Sequence, residues 1–152
     1  MSSPAKAVLW LLTSFSLYLS APVCAETKRI DLVIAGSKAE KVIHVELAKS
    51  MAERQKGLMF RDALAVDSGM LFIFPAEKIL KFWMKDTIVP LDILFFDRNG
   101  HFINKHVNVP PLTLTNRVSE KPAIYVLEVV GKTSETWNLG GGIHLKLPLA
   151  TP

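Results

Sequence analysis

The sequence predicts a mainly β, compact single domain, a β-sandwich or a barrel-like sheet, with one or two short helices. Three observations predict it. From residue 26 onward, short runs rich in Val, Ile, Leu and Phe alternate with Gly, Pro, Asn and Asp turn residues, the spacing expected of a sandwich or barrel. Helix signatures are confined to two short segments, one after Ser50 and one near Ser134. No internal repeat or low-complexity tract breaks the pattern, and the 152 residues leave about one domain after a leader, enough to bury a core.

The chain opens with Lys6, an apolar stretch from Ala7 to Ser20, and Ala21-Pro22-Val23-Cys24-Ala25 ahead of the charged run Glu26 to Arg29. Positive charge, hydrophobic region and small-residue cleavage site follow in the order of a secretory signal peptide. The apolar part is shorter than the ~20 residues that cross a bilayer. Residues 1–25 are therefore expected to be a signal cleaved near Ala25, residues 26–41 an N-terminal strand and linker, and residues 42–152 the principal β domain. A periplasmic or secreted location follows as an expectation. Lipidation of Cys24 fits poorly, because bulky Val23 and Pro22 precede it, and an uncleaved anchor is the remaining alternative. Cys24 is the only cysteine, so the mature domain has no thiol for a disulfide or for catalysis. The formal net charge is +4, with Lys and Arg scattered among acids, which favours solubility over a nucleic-acid footprint. No later segment is apolar enough to span a membrane.

The elements follow in order. Ile30 to Ile34 is a first strand, closed by Ala35-Gly36. Val42 to Leu47 places Ile43, Val45 and Leu47 on one face and His44 and Glu46 on the other. Ser50-Met51-Ala52-Glu53 is a capping box, in which the serine oxygen and the glutamate satisfy free amides at a helix start, and Gly57 ends that helix. Strands resume at Gly69 to Phe74, Ile79 to Lys85 and Leu91 to Asp97, with Pro75 and Pro90 at the breaks. Asp97-Arg98-Asn99-Gly100-His101 is a hairpin signal, since Asn99 and Gly100 tolerate positive φ. A three-residue loop would set Asp97 opposite His101, Phe95 opposite Ile103, Asp92 opposite His106 and Leu91 opposite Val107; a two-residue loop would mix apolar with polar partners, so the first register is preferred. Pro110-Pro111 ends the hairpin, Thr113 to Lys121 is a polar loop, and Ala123 to Val130 is a strand. A short helix around Ser134 to Leu139, Gly140-Gly141-Gly142 and a last strand, Ile143 to Leu147, complete the domain.

Five blocks stand out in this order: Arg54-Gln55-Lys56-Gly57-Leu58-Met59-Phe60-Arg61; Gly69-Met70-Leu71-Phe72-Ile73-Phe74; Phe82-Trp83-Met84-Lys85-Asp86-Thr87 with Pro90-Leu91-Asp92-Ile93; Asn108-Val109-Pro110-Pro111; and Tyr125-Val126-Leu127-Glu128. Over roughly Val42 to Leu147 the chain resembles the domain of unknown function 192 family. The resemblance implies a small, mainly β fold and carries no established activity. Two departures matter. Leu112 stands where many relatives carry a cysteine, so no role of that cysteine transfers, and Asp86 replaces a more usual asparagine, adding a negative charge beside Lys85.

Candidate site residues are weighed against plainer explanations. Alternation puts Leu80, Phe82 and Met84 on one face and Lys81, Trp83 and Lys85 on the other, so Trp83 is a platform for a sugar ring, an aromatic group or an anion, or else an indole covered by lysine stems. Arg54 and Arg61 can converge with Lys85 on an anion, or else Arg54 pairs with helix acids around Glu53 and Arg61 with Asp62 or Asp92. Asp92 and His106 would form a cross-strand proton relay in the preferred register, or simply a stabilising pair. His44, His101, His106 and His144 lack metal-ligand spacing, and Met51, Met59, Met70 and Met84 suit core gaps better than copper. Gly140-Gly141-Gly142 precedes a strand instead of opening a helix, which argues for a turn over a phosphate cradle. No nucleophile motif of the GxSxG kind is present.

The leading expectation is a noncatalytic exported binding module, its site lined by Arg54, Arg61, Trp83, Lys85, Asp92 and Asn108, for a small polar or anionic ligand or an envelope component. No cofactor and no metal is expected, and a monomer is. The alternatives are an envelope enzyme using Asp92 and His106 as acid and base, and a structural or assembly partner with no small-molecule site.

Overall fold

A computed structural model describes residues 28–138 and 141–147. The expected signal at 1–25, Leu139 and Gly140 lie outside the described residues. The described residues form nine strands and two short helices: β1 (Arg29–Ala35), β2 (Glu40–Ala48), α1 (Met51–Lys56), β3 (Ser68–Lys78), β4 (Lys81–Phe82), β5 (Leu91–Phe96), β6 (Phe102–Val109), β7 (Arg117–Val118), β8 (Ala123–Val130), α2 (Thr133–Thr136) and β9 (His144–Lys146). Seven strands form one sheet in the order β6-β5-β8-β3-β2-β1-β9, and β4 and β7 form a separate two-stranded ribbon. Within the sheet β2 and β3 run parallel, joined through α1, and the other pairs are antiparallel.

The sheet curls until its two edges meet. Phe102 N donates to Ile143 O at 3.0 Å and Leu145 N to Gly100 O at 2.8 Å, so the start of β6 is stitched to β9. Of the two expected architectures, the barrel-like one is the outcome. The concave face buries Leu32, Ile43, Val45, Leu71, Phe96 and Leu127, with Trp137 among them. The opposite face of the central strands is apolar too: Met70, Phe72, Ile93, Phe95 and Val126 pack beneath Leu58, Leu80 and Met84 from the connecting segments. Every residue of β5 is consequently buried, which is why Leu91 to Phe96 shows no apolar-polar alternation.

Most expected elements are present, with three corrections. The run Ile79 to Lys85 is a strand only at Lys81–Phe82, because Lys81 pairs with Val118 and Phe82 with Arg117 in the small ribbon and the chain then turns. The strand expected to stop at Pro75 continues to Lys78, with the ladder interrupted between Ile73 and Lys78, where proline's missing amide is tolerated. In the hairpin Asp97 and His101 do face one another, Asp97 N donating to His101 O at 2.9 Å. Phe96 still faces Phe102 in that register, but an irregularity then shifts the pairing, so that Phe95 faces Asn104 and Ile93, not Asp92, faces His106; a second shift sets Leu91 against Val109. Bulges of this kind insert one residue and move every later partner, which a preference for like-with-like pairing does not anticipate.

Candidate functional site

The site lies on the convex face, where α1 and the β4 ribbon stand over β3 and β8. The capping box fixes the helix start: Glu53 N donates to Ser50 Oγ at 3.1 Å and Ser50 N to Glu53 Oε2 at 2.7 Å. Backbone donors to its carboxylate lower the Glu53 pKa. Gly57 ends the helix at φ +48°, where a Cβ would come 3.2 Å from the Phe72 ring, so glycine is what lets the helix end rest on β3. The ribbon is held by Leu80 N donating to Ser119 Oγ at 2.9 Å, Ser119 N to Leu80 O at 3.0 Å, and Met84 N to Thr113 O at 2.9 Å. Asn104 clamps the other side, donating to Val118 O at 3.1 Å and accepting from Glu120 N at 3.0 Å.

Between these elements is a hollow of about 820 Å³, within the range of small-molecule sites. Its wall is aromatic. Phe82 meets Phe72 edge-on at 5.0 Å between centroids and Phe74 at 6.2 Å, and Trp83, about half exposed, stands at the rim. Its charge is basic: Arg54, Lys56, Lys78, Lys81 and Lys85 all line it. Arg54 lies 5.1 Å over Phe74 and donates to Ile73 O at 3.1 Å and to Lys49 O; Lys85 Nζ is 5.7 Å from the Trp83 ring. Glu128 of β8 is the one acid among the lining residues. It is 4% exposed, in register with Met70 on β3 and Ile93 on β5, and burial alone pushes its pKa up to about 8. A carboxylic acid at the floor of a basic, aromatic hollow is a hydrogen-bond donor at neutral pH.

Three of the six expected site residues therefore meet, Arg54, Trp83 and Lys85, and three do not. Arg61 is taken by Glu46: Nη1 reaches Oε1 at 2.8 Å and Nη2 reaches Oε2 at 2.6 Å, a paired geometry that lowers the Glu46 pKa and raises that of Arg61. Its partner is thus Glu46, neither Asp62 nor Asp92. Asp92 is fully buried on the concave side and accepts three amides, Asn108 N at 2.7 Å, Lys132 N at 2.8 Å and Ser134 N at 2.8 Å. Two of those donors, Asn108 and Lys132, hold positive φ, so Asp92 stabilises two left-handed turns. Asn108 is exposed beside Gly131, away from the hollow. His106 stacks edge-on against Phe95 and donates from Nε2 to Val118 O at 3.1 Å, so the proposed Asp92 and His106 relay does not form: the register shift sends the two side chains to opposite faces.

His44 pairs with Asp31 at 2.6 Å and His101 with Asp97 at 3.4 Å. Among the described residues no three His, Cys, Asp or Glu side chains gather as metal ligands, and no helix is long and apolar enough to cross a membrane. Met51 and Met59 line the hollow, whereas Met70 and Met84 are buried. The residue that sequence reasoning missed as a site is Glu128. Its signal was present: a glutamate in the otherwise apolar strand Ala123–Val130 is an acid placed where a hydrophobe belongs.

Comparison with known proteins agrees with this architecture. A crystal structure of a "putative transcription regulator" from Sinorhizobium meliloti 1021 is similar at 31% identity and a TM-score of 0.76, over 79% of this chain and 94% of that one. A protein of unknown function from Novosphingobium aromaticivorans DSM 12444 is similar at 30% identity and a TM-score of 0.77, over 84% of this chain and 90% of that one. No curated protein matches. The model of the family DUF192, described as "Uncharacterized ACR", matches residues 32–147, starting inside β1 and so ten residues ahead of the boundary expected from sequence. With that match running from within β1 to beyond β9 and including the ribbon, the chain belongs to the DUF192 family.

Proposed function

We propose that this is an exported, noncatalytic binding domain whose ligand is a small anion with an apolar, ring-sized body. The observation that carries the reading is the convergence of five cationic side chains and an aromatic wall on one hollow of about 820 Å³. Lysine and arginine attract and orient a carboxylate, sulfonate or phosphate, and aromatic faces hold a flat body beside it. Export is supported by the leader-like order of Lys6, the Ala7 to Ser20 stretch and Ala25. The enzyme reading loses its support once Asp92 is committed to three backbone amides.

The test is calorimetric titration with naphthalene-2-sulfonate, an aromatic anion that fits the hollow. Saturable binding that weakens with added salt is expected. Trp83→Ala and Lys85→Ala should each weaken it roughly fivefold to tenfold through loss of stacking and charge, and Asn108→Ala, outside the hollow, should leave it unchanged. Binding that ignores both hollow substitutions would remove the proposal.

A further inference from the structure

The floor of the hollow holds a group that the rim chemistry does not use. Glu128 lines the cavity from the middle of the sheet; among the described residues no side chain or amide hydrogen-bonds its carboxyl, whose oxygens are not sealed in the protein but open onto the hollow. A ligand that fills the hollow displaces water from that carboxyl, and a polar group so covered needs a new partner, because leaving one unpaired costs free energy. Its surroundings offer none. The register neighbours on its own face are Met70 of β3 and Ile93 of β5. One strand further out, Glu46 on β2 is bound by Arg61, and His106 on β6 gives its Nε2 proton to Val118 O. Thr87, also lining the hollow, spends its hydroxyl on Lys85 O at 3.1 Å. Of the cations, Arg54 and Lys56 come from α1, Lys78 from β3, Lys81 from β4 and Lys85 from the turn after it; none makes a hydrogen bond or ion pair with Glu128.

We infer that Glu128 is the specificity contact of the hollow, and that the ligand class is an anion whose far end carries an uncharged oxygen acceptor, such as a ketone, ester or amide carbonyl, seated against this carboxyl. The inference deepens the binding reading above and rests on it. The two ends of the site are chemically distinct: the rim is basic and solvated, the floor apolar except for one acid. An anionic group belongs at the rim, where lysines meet it in water. Placed at the floor it would be stripped of water beside a carboxyl, which is costly. A purely apolar end leaves Glu128 without a partner, whereas a carbonyl gives it one. Burial holds the carboxyl in its neutral, donating form up to about pH 8, so the contact is present at neutral pH and lost in alkali.

Two probes isolate this contact, 4-acetylbenzoate and 4-isopropylbenzoate, which share ring, carboxylate and approximate size, the second carrying a methyl where the first has its carbonyl oxygen. Calorimetry at about pH 6.5 should show the acetyl compound binding roughly fivefold to tenfold more tightly, the worth of one hydrogen bond to an otherwise unpaired group. At about pH 9.5 the preference should vanish or reverse, because an ionised carboxylate repels the carbonyl oxygen. Glu128→Gln, whose amide still donates, should keep the preference at both pH values. Glu128→Leu should reverse it in favour of the isopropyl compound, and circular dichroism on both variants reports folding independently. If both probes bind the protein equally at pH 6.5, the inference is overturned while the binding reading stands. If neither binds, both fall.

Discussion

At the scale of single residues, the buried acids separate structure from site. Asp92 and Glu128 sit on neighbouring strands with almost no exposure, yet Asp92 accepts three amides and Glu128 none. The first is a local staple; the second is destabilising unless protonated. Its proton is held to about pH 8 in the folded chain and, on ordinary carboxylate chemistry, only to about 4.5 when unfolded. Unfolding between those values therefore releases a proton, so stability declines as pH rises through that window and levels off above it. Glu128→Gln removes the titration. Thermal melts of the two proteins should nearly coincide below about pH 4.5, and the variant should become the more stable one by up to a few kcal/mol near pH 9. A constant offset at all pH values would mean that the carboxyl is not desolvated. The sequence marked Glu128 as an acid in an otherwise apolar strand but not what covers it, since its neighbours come from distant segments; Arg54, Trp83 and Lys85 were legible because side chains of that type, close to a turn or ribbon, favour a solvent-facing rim.

At the scale of elements, legibility followed locality. The capping box and the Gly57 stop depend on residues within one turn, and both formed as the sequence indicates. Strand ends and partners depend on distant chain, and there the sequence misled. Ile79 to Lys85 alternates like a full strand, but only two residues find a partner, in β7, which lies inside what reads as a polar loop. The ion pair that fixes the segment after α1 was invisible for the same reason: Arg61 and Glu46 meet only because β2 lies beside the returning chain. Glu46 is nearly buried and Arg61 about one-third exposed, so the pair is partly shielded from solvent. Arg61→Ala should cost about 1 to 2 kcal/mol in urea unfolding at pH 7, after allowing for that exposure. Since Arg61 lowers the folded pKa of Glu46, the contribution is complete above the unfolded value of 4.5 and disappears as pH falls through the lower folded one. The gap between the two proteins should therefore narrow as the pH is lowered beneath the unfolded value of 4.5. A gap that stays constant there would show that the arginine stabilises by packing alone.

At the scale of the whole molecule, the question left open by the sequence was whether the strands make two sheets or one curled sheet. Composition and turn spacing suit both architectures. What decides between them is a contact between distant segments: the start of β6 against β9, made through Leu145 N to Gly100 O and Phe102 N to Ile143 O. Gly100 permits that approach twice over. It holds φ +80°, and a Cβ there would come within 2.8 Å of Leu145 O, which is backbone and has little room to yield. The seam covers β9 and the start of β6, edge backbone that would otherwise be free to pair with other chains. Gly100→Val should therefore destabilise the protein by about 1 to 3 kcal/mol through strain and loss of the seam. Hydrogen exchange should quicken selectively at the Leu145 and Phe102 amides, with β3 and β8 still protected. The aromatic hollow is built on the far side of those central strands, so naphthalene-2-sulfonate should still bind the variant. Unchanged exchange at both amides would mean that the seam contributes nothing to the fold. Loss of probe binding alongside an open seam would mean that closure of the sheet sets the shape of the hollow on its opposite face.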